Sequence, residues 1–317
     1  VNLGTPTIGL STFRAVLPLR RYLASNSVTH MITTLEATTI VAFLASKLLA
    51  RPPSLTIRVA TTFDKEQRPR LRELLIRYVY RQHQGMFVTN SQGSAEALSR
   101  ALLIPDSRIS TIHNGVDLSR IASLAGQPVT SMDLDEDGRF LLNIGRLTYA
   151  KRQDVLIRSF HRLKDKKLRL IILGKGPLNA ELEALTERLG LSDRVIFAGF
   201  ADNPYAFIAR ASALVLSSCY EGMPTVLVEA LSCGCPVVST DCPSGPREIL
   251  ADGKWGDLVP VNDEGALAQA IEKCLNDSHR KSQLARRASD FSIDIMAEKY
   301  HALLFGTGNR PIVRATQ

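Results

Sequence analysis

The chain lacks several features, and each absence narrows what it is. No run of eighteen apolar residues occurs among its 317, so no segment reads as a membrane-spanning helix. No leader pattern is visible at its start, and a cytoplasmic location is the expectation. The cysteines, Cys219, Cys233, Cys235, Cys242 and Cys274, are odd in number and form no C-x-x-C pair. They read as reduced core or loop residues, and no metal site is expected. The G-x-G of "LGKGP" has no third glycine and no clearly placed acidic partner about twenty residues on, so it reads as a tight turn and not as a nicotinamide site.

What is present is apolar mass and unevenly placed charge. Apolar residues make up 45% of the chain, ample for the two domain cores that its length predicts. The net charge of +8 arises wholly in residues 1–125, with fifteen Lys and Arg against seven Asp and Glu; residues 126–317 carry twenty-four of each. A basic part beside a neutral one points to an anionic partner held by one domain. In the basic part, residues 64–83 set Arg68, Arg70, Arg72, Arg77 and Arg81 around Leu71, Leu74, Leu75, Tyr78 and Val79. Such a helix can lie on an anionic membrane surface, or it can bury its apolar side in a core and leave a solvated basic face. Nucleic acid is not expected as a partner, because no aromatic stacking platform accompanies the arginines.

The patterns alternate strand and helix. In residues 1–120 a loop opens the chain, and a helix with Val16, Leu19 and Leu23 follows that Pro18 is expected to interrupt. Strands are then predicted at "VTHMITT", "SLTIRVATTF", "GMFVTN" and "RISTI". Over 121–138 the periodicity fades while Gly, Pro, Ser and Asp accumulate, which predicts an interdomain linker. Residues 139–290 hold six apolar strand runs separated by helices, the pattern of a doubly wound parallel sheet. Residues 291–317 supply a last helix and a tail.

Within that second part, "SSCYEGMPTVLVEALSCGCPVVST" (217–240) places Glu221 and Glu229 eight positions apart around a Gly-Met-Pro turn. Pro224 suits a first helical position, and on that helix Val226, Leu227, Ala230 and Leu231 share one side, with Thr225, Glu229 and Ser232 opposite. The amides of Gly222 to Thr225 would face a ligand beyond the strand ends, flanked by two carboxylates that accept from hydroxyl groups. The same spacing also fits a plain amphipathic helix with one loop Glu and one solvated Glu. Arg146 and Lys151, in "NIGRLTYAKR", leave the carboxyl end of another strand, where they can hold a diphosphate or stand as solvated surface charges.

Together these strings resemble the retaining glycosyltransferases of family 4. "FVTNSQGSAEAL", "ISTIHNGVDL", "GRL" with its following Lys, "LGKGP", "VIFAGF", "EGMPTVLVEALSCGCPVV" and "CPSGPREIL" stand in that family's order and spacing. The resemblance implies an α/β GT-B fold of two Rossmann-like domains, the first lacking an opening strand and its Gly-rich loop. It implies transfer of a hexose or N-acetylhexosamine from a UDP-sugar, with retention and without a metal or further cofactor. Arg146 and Lys151 would neutralise the leaving diphosphate, Glu221 would bind donor-sugar hydroxyls, and Glu229 the ribose. Gly222, Met223, Pro224 and Thr225 would line the donor, and Gly199 and Phe200 the nucleobase pocket. The implied acceptor is a lipid-linked or saccharide hydroxyl in surface polysaccharide or glycolipid synthesis, met at the inner face of the membrane. One departure stands out: Ala60, Thr61 and Thr62 occupy the neighbourhood where family members often carry a His. That leaves two other readings in play, an inactive nucleotide-sugar-binding subunit and a UDP-sugar epimerase.

Overall fold

The computed structural model describes residues 13–60, 70–129, 139–276 and 281–306. The chain divides into two compact units, Val1–His113 with Lys299–Gln317, and Asn114–Glu298. Each contains one parallel sheet.

The first unit runs α1 (Val16–Ser25), β1 (His30–Thr33), α2 (Glu36–Lys47), β2 (Ser54–Val59), α3 (Arg70–Gln82), β3 (Phe87–Thr89), α4 (Gln92–Leu102) and β4 (Ile109–Thr111). Its strands lie in chain order, β1-β2-β3-β4, all parallel. Right-handed crossovers that step one strand at a time place α2, α3 and α4 on the same face of this sheet. Ile40 and Phe43 of α2, Ile76 and Val79 of α3 and Leu98 of α4 share a core there with Leu55, Ile57 and Phe87. Pro18 does not interrupt α1. It sits in the first turn, where a missing N–H leaves no intrahelical bond unmade.

The second unit contains α5 (Leu118–Ala125), β5 (Phe140–Ile144), α6 (Gln153–Arg162), β6 (Arg169–Leu173), α7 (Asn179–Arg188), β7 (Val195–Gly199), α8 (Pro204–Ile208), β8 (Ala213–Leu216), α9 (Thr225–Ser232), β9 (Val237–Thr240), α10 (Pro246–Ile249), β10 (Asp257–Val259), α11 (Glu264–Asn276), α12 (Lys281–Ser289) and the start of α13 (Ile293–Phe305). The strand order is β10-β9-β8-β5-β6-β7. Because alternate residues of a strand point to opposite faces, the sheet builds a core on each side. Leu141, Leu170 and Val215 face α6, α7 and α11, while Leu142, Ile171 and Leu214 face α8, α9 and α12.

Part of the expected linker is structured. Residues 118–125 form α5, whose first turn is capped by Asp117 accepting from the Arg120 amide at 2.9 Å. Ile121 on this helix is buried in the second unit's core, so that unit begins before 139. Residues 130–138 of the expected linker, and Thr61 and Thr62, lie outside the described residues. The last helix, α13, starts in the second unit and ends in the first.

Candidate functional site

In the second unit's sheet the chain reverses direction between β5 and β8: β6 and β7 follow on one side, β9 and β10 on the other. Such a switch point opens a crevice at the carboxyl ends of the two central strands. The loop after β5 carries Arg146 and Lys151, and the loop after β8 carries Glu221. Both sets of predicted side chains therefore leave the sheet at the one place where its topology makes room for a ligand.

Backbone contacts fix the β5 loop. The Gly145 amide donates to Leu173 and the Leu147 amide to Lys175, while Leu147 is fully buried beneath. Two glycines of "LGKGP" permit this approach. A Cβ on Gly174 would sit 1.9 Å from the Gly145 carbonyl oxygen, and one on Gly176 would sit 2.2 Å from that of Leu147. The tight turn read from the sequence is thus the bed on which the Arg146 loop rests. Gln153, buried, donates from Nε2 to the Arg146 carbonyl at 3.1 Å. Asn143 donates across the switch point to the Val215 carbonyl at 2.8 Å. Asn143 Oδ1 and Gln153 Oε1 are buried with no hydrogen-bond partner, each at a cost of about 1–3 kcal/mol.

Lys151 and Glu221 meet. The Lys151 ammonium lies 2.5 Å from Glu221 Oε1, and the same oxygen accepts from Ser218 Oγ at 2.6 Å. Ser217 Oγ donates to the Lys151 carbonyl and the Cys219 amide to that of Ala150, so the two loops are stitched at backbone level as well. Behind Glu221, Ser244 Oγ donates to its carbonyl at 2.6 Å, and Thr240 Oγ1 does the same for Ser218. Gly245, at φ +91°, lets the "CPSGP" loop pack down on the Gly-Met-Pro turn; a Cβ there would meet Pro224 Cδ at 2.6 Å. The Cys242 thiol, buried, is pushed up to about 12 by burial and then by the charge of Glu221.

Glu229 lies one turn into α9, half-buried, and burial raises its carboxyl above the usual range while a hydrogen bond from Thr225 opposes the shift. The phenol of Tyr205 is raised by its own burial and next by the charge of Glu229. Two details of the expected helix change. Pro224 caps it, with Thr225 as the first helical residue, and Val228 joins Leu227, Ala230 and Leu231 in the core while Val226 packs half-buried against it. Met223 is buried, 6% exposed, and its Sδ accepts the Asn114 amide at 3.0 Å. Among the described residues the Gly222 and Met223 amides have no hydrogen-bond acceptor, as an anion or hydroxyl site requires.

Arg146 opens on a cavity of about 320 Å³, lined also by Ile144, Gly145, Lys175, Phe200, Ala201 and Pro204. This is the lower end of the range for small-molecule sites. Phe200, 72% exposed, presents a ring on which a planar base can stack, and Gly199 at φ +68° turns the chain to place it. Lys151, Glu221 and Glu229 do not line this cavity. The two groups adjoin through Gly145, which lines the cavity and lies against the methylenes of Lys151. Lys175, Tyr205, Ser218 and Ser244 were not found by sequence reasoning. Lys175 alone had a signal, as a cation held between two glycines after a strand.

Comparison with known proteins bears on the unit that carries these residues. The family model for glycosyl transferases group 1 matches residues 130–291. The chain is 35% identical over 203 residues, 64% of its own length, to N-acetylgalactosamine-N,N'-diacetylbacillosaminyl-diphospho-undecaprenol 4-alpha-N-acetylgalactosaminyltransferase of Campylobacter jejuni, of which the match covers 54%. It is 30% identical over 240 residues to the lipopolysaccharide core biosynthesis glycosyltransferase LpsE of Rhizobium meliloti, covering 74% of this chain and 68% of that one. The fold matches Anabaena HepE, solved in complex with UDP-glucose, with a TM-score of 0.75 at 22% identity, covering 90% of this chain and 82% of that one.

Proposed function

The chain belongs to the glycosyl transferases group 1 family and has the GT-B fold, and on that premise we propose that its second unit binds a UDP-sugar and transfers the sugar, with retention, to an acceptor hydroxyl. The observation that carries this reading is the meeting of Lys151 and Glu221 at the sheet's switch point, beside the Arg146 cavity.

In this reading the base stacks on Phe200 and the ribose hydroxyls donate to Glu229. Arg146 binds the diphosphate through its planar fork, and the Lys151 ammonium, which has three N–H donors, contacts it while remaining paired with Glu221. Glu221, held by Ser218 and Lys151, accepts from sugar hydroxyls. Charge that builds on the diphosphate as the sugar–oxygen bond breaks is met by two cations already in place, with no metal or further cofactor required. A phosphate oxygen of the departing diphosphate takes the acceptor proton, so the new bond forms on the face the old one leaves. The acceptor is a lipid-linked or saccharide hydroxyl in polysaccharide or glycolipid synthesis. The Campylobacter relative, whose name specifies a diphospho-undecaprenol acceptor, and the Rhizobium relative of lipopolysaccharide core synthesis support that class.

Calorimetric titration with UDP and a panel of UDP-sugars tests the donor half. Micromolar-range UDP binding, weakened about tenfold or more in Arg146→Ala and in Glu229→Ala, is the expected result. A folded chain that binds no UDP-linked ligand overturns it. Product analysis by NMR then reads the configuration at the transferred carbon; an inverted product rules out retention.

A further inference from the structure

Helix α3 resolves the two alternatives left by its sequence in an unexpected way. Its core face is Ile76, Val79 and Tyr80, so the helix is anchored in the sheet like any other. Yet Leu74 and Tyr78, one turn apart, are turned outward at 67% and 59% exposure. At about 100° per residue, Arg70, Leu74, Tyr78 and Arg81 fall within a single outward stripe. Arg70 and Arg81 are exposed and form no ion pair among the described residues, while Glu73, the acidic residue nearest this stripe, is paired with Arg77 at 2.9 Å. On the helices packed to either side, Lys47 ends α2 and Arg100 lies in the last turn of α4, both exposed.

We propose that this face seats the first unit on an anionic lipid surface. Charge complementarity selects the occupant: around this stripe the exposed cations Arg70, Arg81, Lys47 and Arg100 outnumber the exposed Glu96, Glu73 is paired with Arg77, and the basic excess of the whole sequence falls in residues 1–125. Two isolated amphipathic insertions between spread cations suit a headgroup layer, where Tyr and Leu enter the interfacial zone and guanidinium groups bind lipid phosphates. A protein partner would instead call for a contiguous apolar patch. The inference deepens the proposed function by naming where a lipid-linked acceptor would be met, and it rests on that reading for the acceptor alone.

The test is co-sedimentation of the full 317-residue chain with phosphatidylcholine vesicles, with and without phosphatidylglycerol, beside a UDP titration of each protein. Binding is expected only with phosphatidylglycerol and weakens as salt is raised. The Leu74→Glu/Tyr78→Glu double variant lowers it at least about tenfold, and Arg70→Glu and Arg81→Glu lower it about fivefold each, with UDP binding unchanged. Failure of the wild-type chain to bind phosphatidylglycerol vesicles overturns the proposal, and so does equal binding by the double variant. Absence of UDP binding alone counts against the donor reading and leaves this surface standing.

Discussion

Both units are parallel sheets crossed by helices, yet they place their polar residues in different ways. In the second unit, buried polar side chains gather at the carboxyl edge of the sheet: Asn143, Gln153, Ser217, Ser218, Thr240 and Ser244 tie three loops to one another around Glu221 and Lys151. In the first, Ser91 caps α4 by accepting from the Ser94 amide and Asn90 donates to the Ala60 carbonyl across the sheet's carboxyl edge, while the excess of basic charge is turned outward. A site held by fixed hydrogen bonds loses little order when a ligand arrives, because its groups are already positioned. A unit whose distinctive residues lie on the surface is, in the proposed reading, the one that meets the lipid surface.

The sharpest way to break this division is to strain one unit at a time. Gly174→Ala, with φ +148° and a carbonyl 1.9 Å from the new carbon, is expected to cost ~3 kcal/mol or more and to abolish UDP binding. Gly85→Ala, which would press on the Leu55 carbonyl 2.4 Å away, is expected to destabilise the first unit and leave the UDP titration intact. Equal loss of UDP binding in both variants would end the division of labour.

Acid comes next and acts on the first unit. His83, buried against Phe87, has its pKa lowered to about 4, chiefly by desolvation. Its folded value lies below its unfolded one, so the unfolded chain takes up the proton first as pH falls. Stability from this group is full above about 6.5 and is lost between about 6.5 and 4, on the order of 3 kcal/mol in all. Protection factors across β3, with exchange normalised to its intrinsic rate at each pH, should fall as pH drops through that window in the wild type and not in His83→Gln.

A smaller effect separates the sugar from its nucleotide. Ser218→Ala removes a donor to Glu221 Oε1, which also accepts from Lys151. UDP binding should hold, while the UDP-sugar loses about fivefold, roughly 1 kcal/mol. An equal loss for both ligands would mean that Ser218 supports the fold and not the carboxylate. Least affected of all is the stability of Leu74→Glu/Tyr78→Glu, expected within ~0.5 kcal/mol of the parent in denaturant unfolding because neither side chain is packed.

The second sheet was legible because parallel strands covered on both faces read as unbroken apolar runs, and "FLLNI" and "ALVL" could scarcely be anything else. Glu221, Lys151 and Arg146 were legible as charged residues just past such runs. The pairing of Lys151 with Glu221 was not, because it depends on β5 lying beside β8, which no local pattern states. The same holds for Ser218 and Ser244: small hydroxyls are common in loops, and only tertiary contact sets these two apart. Helix α5 was missed because its Leu118 and Ile121 are too few to show a period beside Gly126 and Pro128. On α3, the sequence showed which residues were apolar but could not show that the core would accept Val79 and leave Tyr78 outside.

The glycines beneath the Arg146 loop carry one more consequence. The spacing of the cations is set by backbone lying on backbone, at Gly174 under Gly145 and at Gly176 under Leu147. The side chains that shape the neighbouring cavity, Lys175, Phe200, Ala201 and Pro204, take no part in that contact. What the cavity accepts can therefore drift residue by residue while the charges stay where they are. In the proposed reading, the part of the site that receives the nucleobase would be free to vary, and the placement of the cations the part held fixed.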